Sequence, residues 1–307
     1  MTENEVKEKY GAALCALRSY YSVGFFSREY AILRSKEILD DVEKEYQEAD
    51  DKGKDSLRPK LKSARLLTYR ELFEKMFLCI EDLAAIFSAL IHPLEEFHKW
   101  VAKTPNIKKV FQNITDDEIY KAMKYRDISD YNEDEISIIR KYRADAIESH
   151  KKVFETVLSF YKLNEKAYIR MKHGNSLFYN LDSVMIRQEE TFIIPVEYNT
   201  KIIENVDILM LNSFIYQKTY RLFQYIQQFQ RILCEINMNF IENGGHYHPV
   251  GLIPEPKSKA DEEKINNIIS KYWFQDNVKY NINTKIELKA DLKKINSMVD
   301  FYNNIPL

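Results

Sequence analysis

Residues 135–168 read EISIIRKYRADAIESHKKVFETVLSFYKLNEKAY, and this segment decides the fold class of the chain. Its apolar residues recur at the three- and four-residue spacing that places them on one face of an α-helix. The pattern begins near residue 133 and ends before Gly174, a residue type that commonly follows the last turn of a helix. A helix of this extent is about 60 Å long, so the segment predicts a protein built from long helices.

The composition of the whole chain favours the same fold class. The 307 residues include only 7 glycines and 8 prolines, while 30% of the residues are charged and 45% are hydrophobic. Few turn-forming residues and a large apolar fraction predict a mainly α-helical protein, a multi-helix bundle with a sizeable core. The net charge of −2 provides no general attraction to nucleic acid or to an anionic membrane.

The same apolar spacing predicts helices along most of the chain. Besides residues 133–172, they cover about 4–22, 27–52, 59–91, 94–103, 106–112, 115–125, 201–242, 259–272 and 288–303. The charged, glycine-containing stretch EADDKGKDS (48–56) is predicted to be a loop. Thr115 stands three residues before Glu118, the spacing of a capping box, and it predicts the start of a short helix.

One segment departs from the helical pattern. SLFYNL (176–181) and TFIIPVEYN (191–199) are rich in aromatic and β-branched residues, so a small β-hairpin is predicted at about 176–199. We predict a helical bundle over residues 1–250 with this hairpin inserted, and a C-terminal helical extension over 251–307 packed on it. The alternative is one single domain overall.

Cysteine usage and hydropathy indicate the compartment. Cys15, Cys79 and Cys234 lie far apart in apolar helical contexts, which is typical of reduced, buried thiols. The N-terminal stretch MTENEVKEKY lacks the pattern of a signal peptide. The most apolar window, residues 76–91, contains two acidic residues and is too short to cross a bilayer, so it predicts a buried central helix. The sequence therefore predicts a cytoplasmic protein without a membrane partner.

Two polar residues fall on the apolar face of the long predicted helix. Arg143 and His150 are seven residues apart, so they lie within about 20° of each other on a helical wheel. One interpretation is structural. Arg143 then forms a buried ion pair with Glu81 or Asp82, and His150 bonds to a backbone carbonyl.

The second interpretation is a resemblance to a family. RADAIESH (143–150), an arginine and a histidine separated by six residues, resembles the signature of the HEPN superfamily of all-helical proteins. The resemblance implies a metal-independent ribonuclease or a non-catalytic helical partner in a bacterial defence or toxin system. It also implies that His150 assists proton transfer at the ribose 2′-hydroxyl and that Arg143 stabilises the developing phosphate charge, in sites that meet across a homodimer. Ala144 departs from the family, which tends to have a polar residue there.

Two groups of basic residues are candidates for binding RNA or phosphate. They are Arg170, Lys172 and His173 at the end of the long helix, and Arg58, Lys62 and Arg65 on one face of an earlier helix. Each group also has an ordinary explanation. Basic residues are common at helix C-termini, and amphipathic helices always have a solvated face.

No metal or other cofactor is predicted. His246 and His248 lack further ligands at the spacing of a zinc site, and Glu95 with His98 is a single half of a di-iron motif. No nucleotide-binding or nucleophile motif is present. Two function classes stay open: a HEPN-like protein that acts on RNA, or a non-catalytic helical binding or assembly protein with a protein partner or a second copy of itself.

Overall fold

The computed structural model describes residues 1–172, 178–180, 208–210 and 213–245, and a few single positions between 259 and 268. These residues are mostly helical, which confirms the predicted helical bundle. The helices are α1 (Glu3–Ser19), α2 (Phe25–Glu48), α3 (Asp51–Leu90), α4 (Phe97–Trp100), α5 (Ile107–Phe111), α6 (Asp116–Met123), α7 (Glu133–Lys172) and α8 (Ser213–Glu242). A π-helical turn (Tyr20–Gly24) joins α1 to α2, and short 3-10 turns span Leu94–Glu96 and Ile128–Asp130.

Helix α3 is the central element of the bundle. It contacts α2 and α8 most extensively, and it also contacts α4, α5, α6 and α7. In its last two turns every side chain but that of Ser88 is buried, namely Leu83, Ala84, Ala85, Ile86, Phe87, Ala89 and Leu90. A helix segment that is apolar on nearly all sides must be surrounded by other elements. The prediction of a buried helix over residues 76–91 is therefore confirmed.

The predicted loop at residues 48–56 is wrong. Helix α2 ends at Glu48 and α3 already begins at Asp51, so two residues separate them. The side chain of Asp50 caps α3 by accepting a hydrogen bond from the backbone N–H of Gly53, at 2.7 Å. A Cβ atom at Gly53 would lie 2.9 Å from the Cβ of Ala49. The glycine therefore allows a close corner between two helices and does not end a helix.

Two boundaries are confirmed closely. The long helix predicted from about residue 133 to just before Gly174 is α7, which the structure describes over Glu133–Lys172. The capping box at the start of α6 is present: Thr115 Oγ1 accepts from the Glu118 N–H at 3.3 Å, and the Glu118 carboxylate accepts from the Thr115 N–H at 2.8 Å. This short helix packs against α7 and α8, so its start also fixes the position of the connector that follows it.

The second half of the chain differs from the prediction at one helix start. Helix α8 begins at Ser213, where the sequence pattern predicted a start near 201, and residues Ile208–Met210 form a strand, β2. This strand pairs in parallel with β1 (Phe178–Asn180). Apart from β1, the predicted hairpin at 176–199 lies outside the described residues.

The predicted extension over 251–307, with its two helices, also lies outside the described residues apart from a few positions. One of those positions, Ile268, is buried against Tyr131 and Ile139 of the bundle. In the part of the chain that the structure describes, none of the helices combines the length and apolar character that crossing a membrane requires.

Candidate functional site

Arg143 and His150 both point into the bundle from one face of α7, as the sequence predicts. Their side chains are almost completely buried, with 3% of Arg143 and 7% of His150 exposed. Seven residues correspond to about 10 Å along a helix axis. The two side chains therefore meet different neighbours, and each must be described by itself.

The guanidinium of Arg143 is enclosed by aromatic rings. Its central carbon lies 5.2 Å from the ring centre of Tyr125, 5.6 Å from that of Tyr131 and 5.7 Å from that of Tyr120. Its Nη2 donates a hydrogen bond to the backbone carbonyl of Arg126 at 2.5 Å. The Nε atom is buried without a hydrogen-bond partner. Ring faces, the Arg126 carbonyl and the Tyr131 hydroxyl, which accepts a hydrogen bond from Arg143, thus surround the charge, and these contacts stabilise a desolvated cation.

The predicted ion pair of Arg143 is wrong. Asp82 pairs with Arg28 at 2.5 Å, and Glu81 accepts a hydrogen bond from the Tyr168 hydroxyl at 3.1 Å. Tyr168 lies near the carboxyl end of α7, whereas Arg143 lies near its amino end. Glu81 therefore lies beside the carboxyl end of α7, Asp82 pairs with α2, and the surroundings of Arg143 come from α6 and the connector between α6 and α7.

Burial changes the acidity of the tyrosines around Arg143. It raises the pKa of Tyr131 to about 12, although the nearby Arg143 guanidinium acts in the opposite direction. It also raises the pKa of Tyr125. Both hydroxyls are therefore neutral at physiological pH, and neither supplies a negative charge to the arginine.

His150 lies in an apolar environment formed by α7 and α8. Its ring centre is 5.3 Å from that of Phe229, which also contacts Phe154 at 5.4 Å. The Nε2 atom is buried without a hydrogen-bond partner, so this nitrogen does not make the predicted bond to a carbonyl. Burial lowers the pKa of His150 to about 4, which keeps the imidazole neutral at neutral pH.

Two buried amides of α8 were missed by the sequence interpretation. Gln230 accepts a hydrogen bond from the Cys79 thiol at 3.3 Å and donates to the Cys79 carbonyl. Asn237 donates to the Ala122 carbonyl at 2.8 Å. Both amides fall in the apolar period of α8, which is the same signal that identified Arg143 and His150. They connect α8 to α3 and α6, and their contacts are structural.

The basic group on α3 lies far from Arg143. Arg58 pairs with Asp55 and Arg65 pairs with Glu43, both at 3.1 Å, and Lys62 also has an interaction partner. This part of α3 shares an apolar cluster with Ala167 and Tyr168. Those residues are about 36 Å from Arg143 along the axis of α7. The structure therefore separates this basic group from Arg143.

The second basic group lies at the limit of the described chain. Arg170 and Lys172 belong to the last turns of α7, but their side chains, like all of His173, lie outside the described residues. His246 and His248 lie outside them as well. Among the residues that are described, no group of three or more histidine, cysteine, aspartate or glutamate side chains is arranged to hold a metal ion.

The three cysteines are free thiols. Cys79 and Cys234 are buried as predicted, and burial raises the pKa of each to about 12. Cys15 is only half-buried, which differs from the prediction. Because the thiolate is the reactive form, the two buried thiols are chemically inert.

Comparisons with known proteins give no further assignment: no family model, no curated protein and no solved structure matches this chain. The surroundings of Arg143 and His150 are therefore the basis for a functional proposal.

Proposed function

We propose that this protein is a non-catalytic helical binding or assembly protein, in which Arg143 and His150 stabilise the bundle. The observation that carries the proposal is the burial of both side chains in two separate environments, aromatic for Arg143 and apolar for His150. Buried polar groups of this kind usually have structural roles.

The chemistry of the two residues supports the proposal. A general base works best when its pKa is near the operating pH and when it reaches the proton that it removes. His150 has a pKa of about 4 and packs against Phe229, so it is a weak base that no substrate reaches in this arrangement. A phosphate beside Arg143 would have to displace the tyrosine rings that now surround the guanidinium.

The second candidate is a HEPN-like, metal-independent ribonuclease of a bacterial defence or toxin system, with RNA as its partner. One observation favours it: Arg143 Nε and His150 Nε2 lie on the same face of α7, and both are buried without hydrogen-bond partners. Unsatisfied buried donors and acceptors are uncommon outside functional sites. This candidate requires α7 to separate from its neighbours so that both groups reach one substrate.

Measurements of ribonuclease activity and of thermal stability distinguish the two candidates. We expect the purified protein to cleave no RNA in EDTA, and we expect His150→Ala and Arg143→Ala to lower the melting temperature because they remove buried contacts. Lys152→Ala is a suitable control, since Lys152 is an exposed residue of α7 that pairs with Glu148 on the surface. Metal-independent cleavage that His150→Ala abolishes without a change in melting temperature would establish the ribonuclease instead.

We also infer a cytoplasmic location, with the two buried thiols as support. Cys79 and Cys234 are free, and the Cys79 thiol takes part in a hydrogen bond to Gln230 that a disulfide would remove. Disulfides are rare in reducing compartments. The β-hairpin at 176–199 stays part of the proposed architecture, as an insertion between α7 and α8.

A further inference from the structure

Helix α2 carries an apolar stripe on the side that faces away from the bundle. Phe26, Tyr30 and Leu33 follow one another at four- and three-residue spacing, and they are 55%, 70% and 45% exposed. The opposite side of the helix packs against α3 through Ile32, Ser35, Leu39 and Val42. Neighbouring large apolar side chains on a surface are typical of an interaction site, whereas isolated ones are ordinary.

A basic side chain lies near one end of this stripe and an acidic side chain lies at the other. At the amino end, the Arg231 guanidinium of α8 lies 5.4 Å from the Tyr21 ring centre and 5.7 Å from that of Phe26, and it forms no ion pair within the described residues. At the carboxyl end, Glu37 continues the stripe four residues after Leu33. Its carboxylate accepts a hydrogen bond from Arg34 at 2.7 Å in a highly exposed pair. Such surface pairs are weak and exchange partners at little cost.

We propose that a second copy of this chain packs on the α2 stripe, antiparallel, around a two-fold axis near Tyr30. Phe26 of each copy then lies beside the partner's Leu33. Arg231 of each copy meets the partner's Glu37, because the positive end of one stripe lies next to the negative end of the other. A patch that is apolar in the middle and oppositely charged at its ends is complementary to itself under a two-fold rotation.

The expected dimer is weak, because three apolar side chains per copy form a small interface. Interfaces at the small end of the range hold transient complexes, and we expect a dissociation constant on the order of micromolar. Tyrosine and arginine dominate the binding energy of many interfaces, which makes Tyr30 and Arg231 the central residues here. The inference rests on the proposed function and names the partner that such an assembly protein binds.

Sedimentation equilibrium of the full chain over about 1–500 µM tests the dimer, since this range brackets a micromolar constant. We expect Tyr30→Asp to raise the dissociation constant at least about tenfold. Leu163→Asp is the matched control, because Leu163 is 83% exposed on α7, outside the stripe, and its replacement should leave the constant unchanged. Circular dichroism of each variant verifies that the bundle is folded.

Charge exchange tests the antiparallel arrangement. Arg231→Glu and Glu37→Arg should each weaken the dimer, and the double variant should recover most of the affinity because the pair is restored with reversed signs. A wild-type chain that is monomeric throughout the range, or a dimer that Leu163→Asp weakens as much as Tyr30→Asp, overturns the inference. A monomer that cleaves no RNA overturns the dimer alone and leaves the proposed non-catalytic function intact.

Discussion

Two arginines of this bundle, the partly buried Arg28 and the fully buried Arg143, have charges that are stabilised in different ways. Arg28 pairs with Asp82 at 2.5 Å, between α2 and α3. Arg143 has three tyrosine rings, one backbone carbonyl and the Tyr131 hydroxyl around it. The first arrangement depends on one oppositely charged partner, whereas the second distributes the contacts over α6 and the connector that joins it to α7. A buried cation in this protein therefore does not by itself indicate a catalytic site.

The largest expected effect is the loss of the Arg28 charge. Arg28→Met leaves the largely buried Asp82 carboxyl, whose pKa is already raised by burial, without its cation, and breaking a pair in this way costs up to about 3–5 kcal/mol of unfolding free energy. Arg143→Met strands no carboxylate and loses the hydrogen bonds to the Arg126 carbonyl and the Tyr131 hydroxyl and the ring contacts, so we expect a smaller loss of about 1–3 kcal/mol. Urea unfolding of both variants measures the difference.

A double variant tests whether the loss in Arg28→Met comes from the unpaired Asp82 carboxyl. Arg28→Met combined with Asp82→Leu removes both charges and should recover most of the lost stability, since apolar residues often replace a buried pair without penalty. If Arg143→Met costs more than Arg28→Met, the aromatic environment holds the bundle together more strongly than the ion pair does, and the comparison is reversed.

His150 is a buried titratable group for which the described part of the chain provides no charged partner. Its pKa is lowered from 6.5 to about 4 by burial, so between these values the unfolded chain binds a proton that the folded chain excludes. Stability from this residue is therefore complete above pH 6.5 and falls as the pH decreases toward 4, by about 3 kcal/mol in total. His150→Leu should flatten this part of the pH profile of unfolding free energy.

Val157, a buried residue of α7 without a titratable group, provides the control for this measurement. Val157→Ala should lower the unfolding free energy by the same amount at every pH and leave the slope between pH 6.5 and 4 unchanged. An unchanged slope in His150→Leu would mean that His150 is protonated within the fold, and a nearby carboxylate would then have to be found.

The sequence was sufficient for elements whose signal is local and continuous. The helical spacing of α7 continues from its first turn to Lys172, with Arg143 and His150 at two positions of the apolar face, so its start and extent were predicted closely. The loop prediction at the corner between α2 and α3 was wrong, because Asp50 and Gly53 are typical both of loops and of a capped helix start. Only the packing of α2 on α3 decides between these structures.

The candidate site was predictable in part. The burial of Arg143 and His150 follows from their position on the apolar face of α7. The identity of the groups around Arg143 does not follow from that position, because either a carboxylate or aromatic rings can stabilise a buried arginine. The position of α3 along α7 places Glu81 beside Tyr168 and away from Arg143. That relative position of two long helices is a property of the whole bundle.

The smallest expected effect distinguishes the rings around Arg143 from their hydroxyls. The Tyr125 hydroxyl is buried without a hydrogen-bond partner, whereas its ring lies 5.2 Å from the guanidinium carbon. Tyr125→Phe keeps the ring and removes an unsatisfied polar group, so we expect a change within about 1 kcal/mol, in the stabilising direction. Tyr125→Leu removes the ring as well and should destabilise the bundle by about 1–2 kcal/mol through the lost cation–π contact and packing. Thermal unfolding of the two variants, each alone and combined with Arg143→Met, gives the coupling free energy between the Tyr125 ring and the Arg143 guanidinium. A loss from Tyr125→Phe that equals the loss from Tyr125→Leu would show that the hydroxyl, and not the ring face, stabilises the arginine.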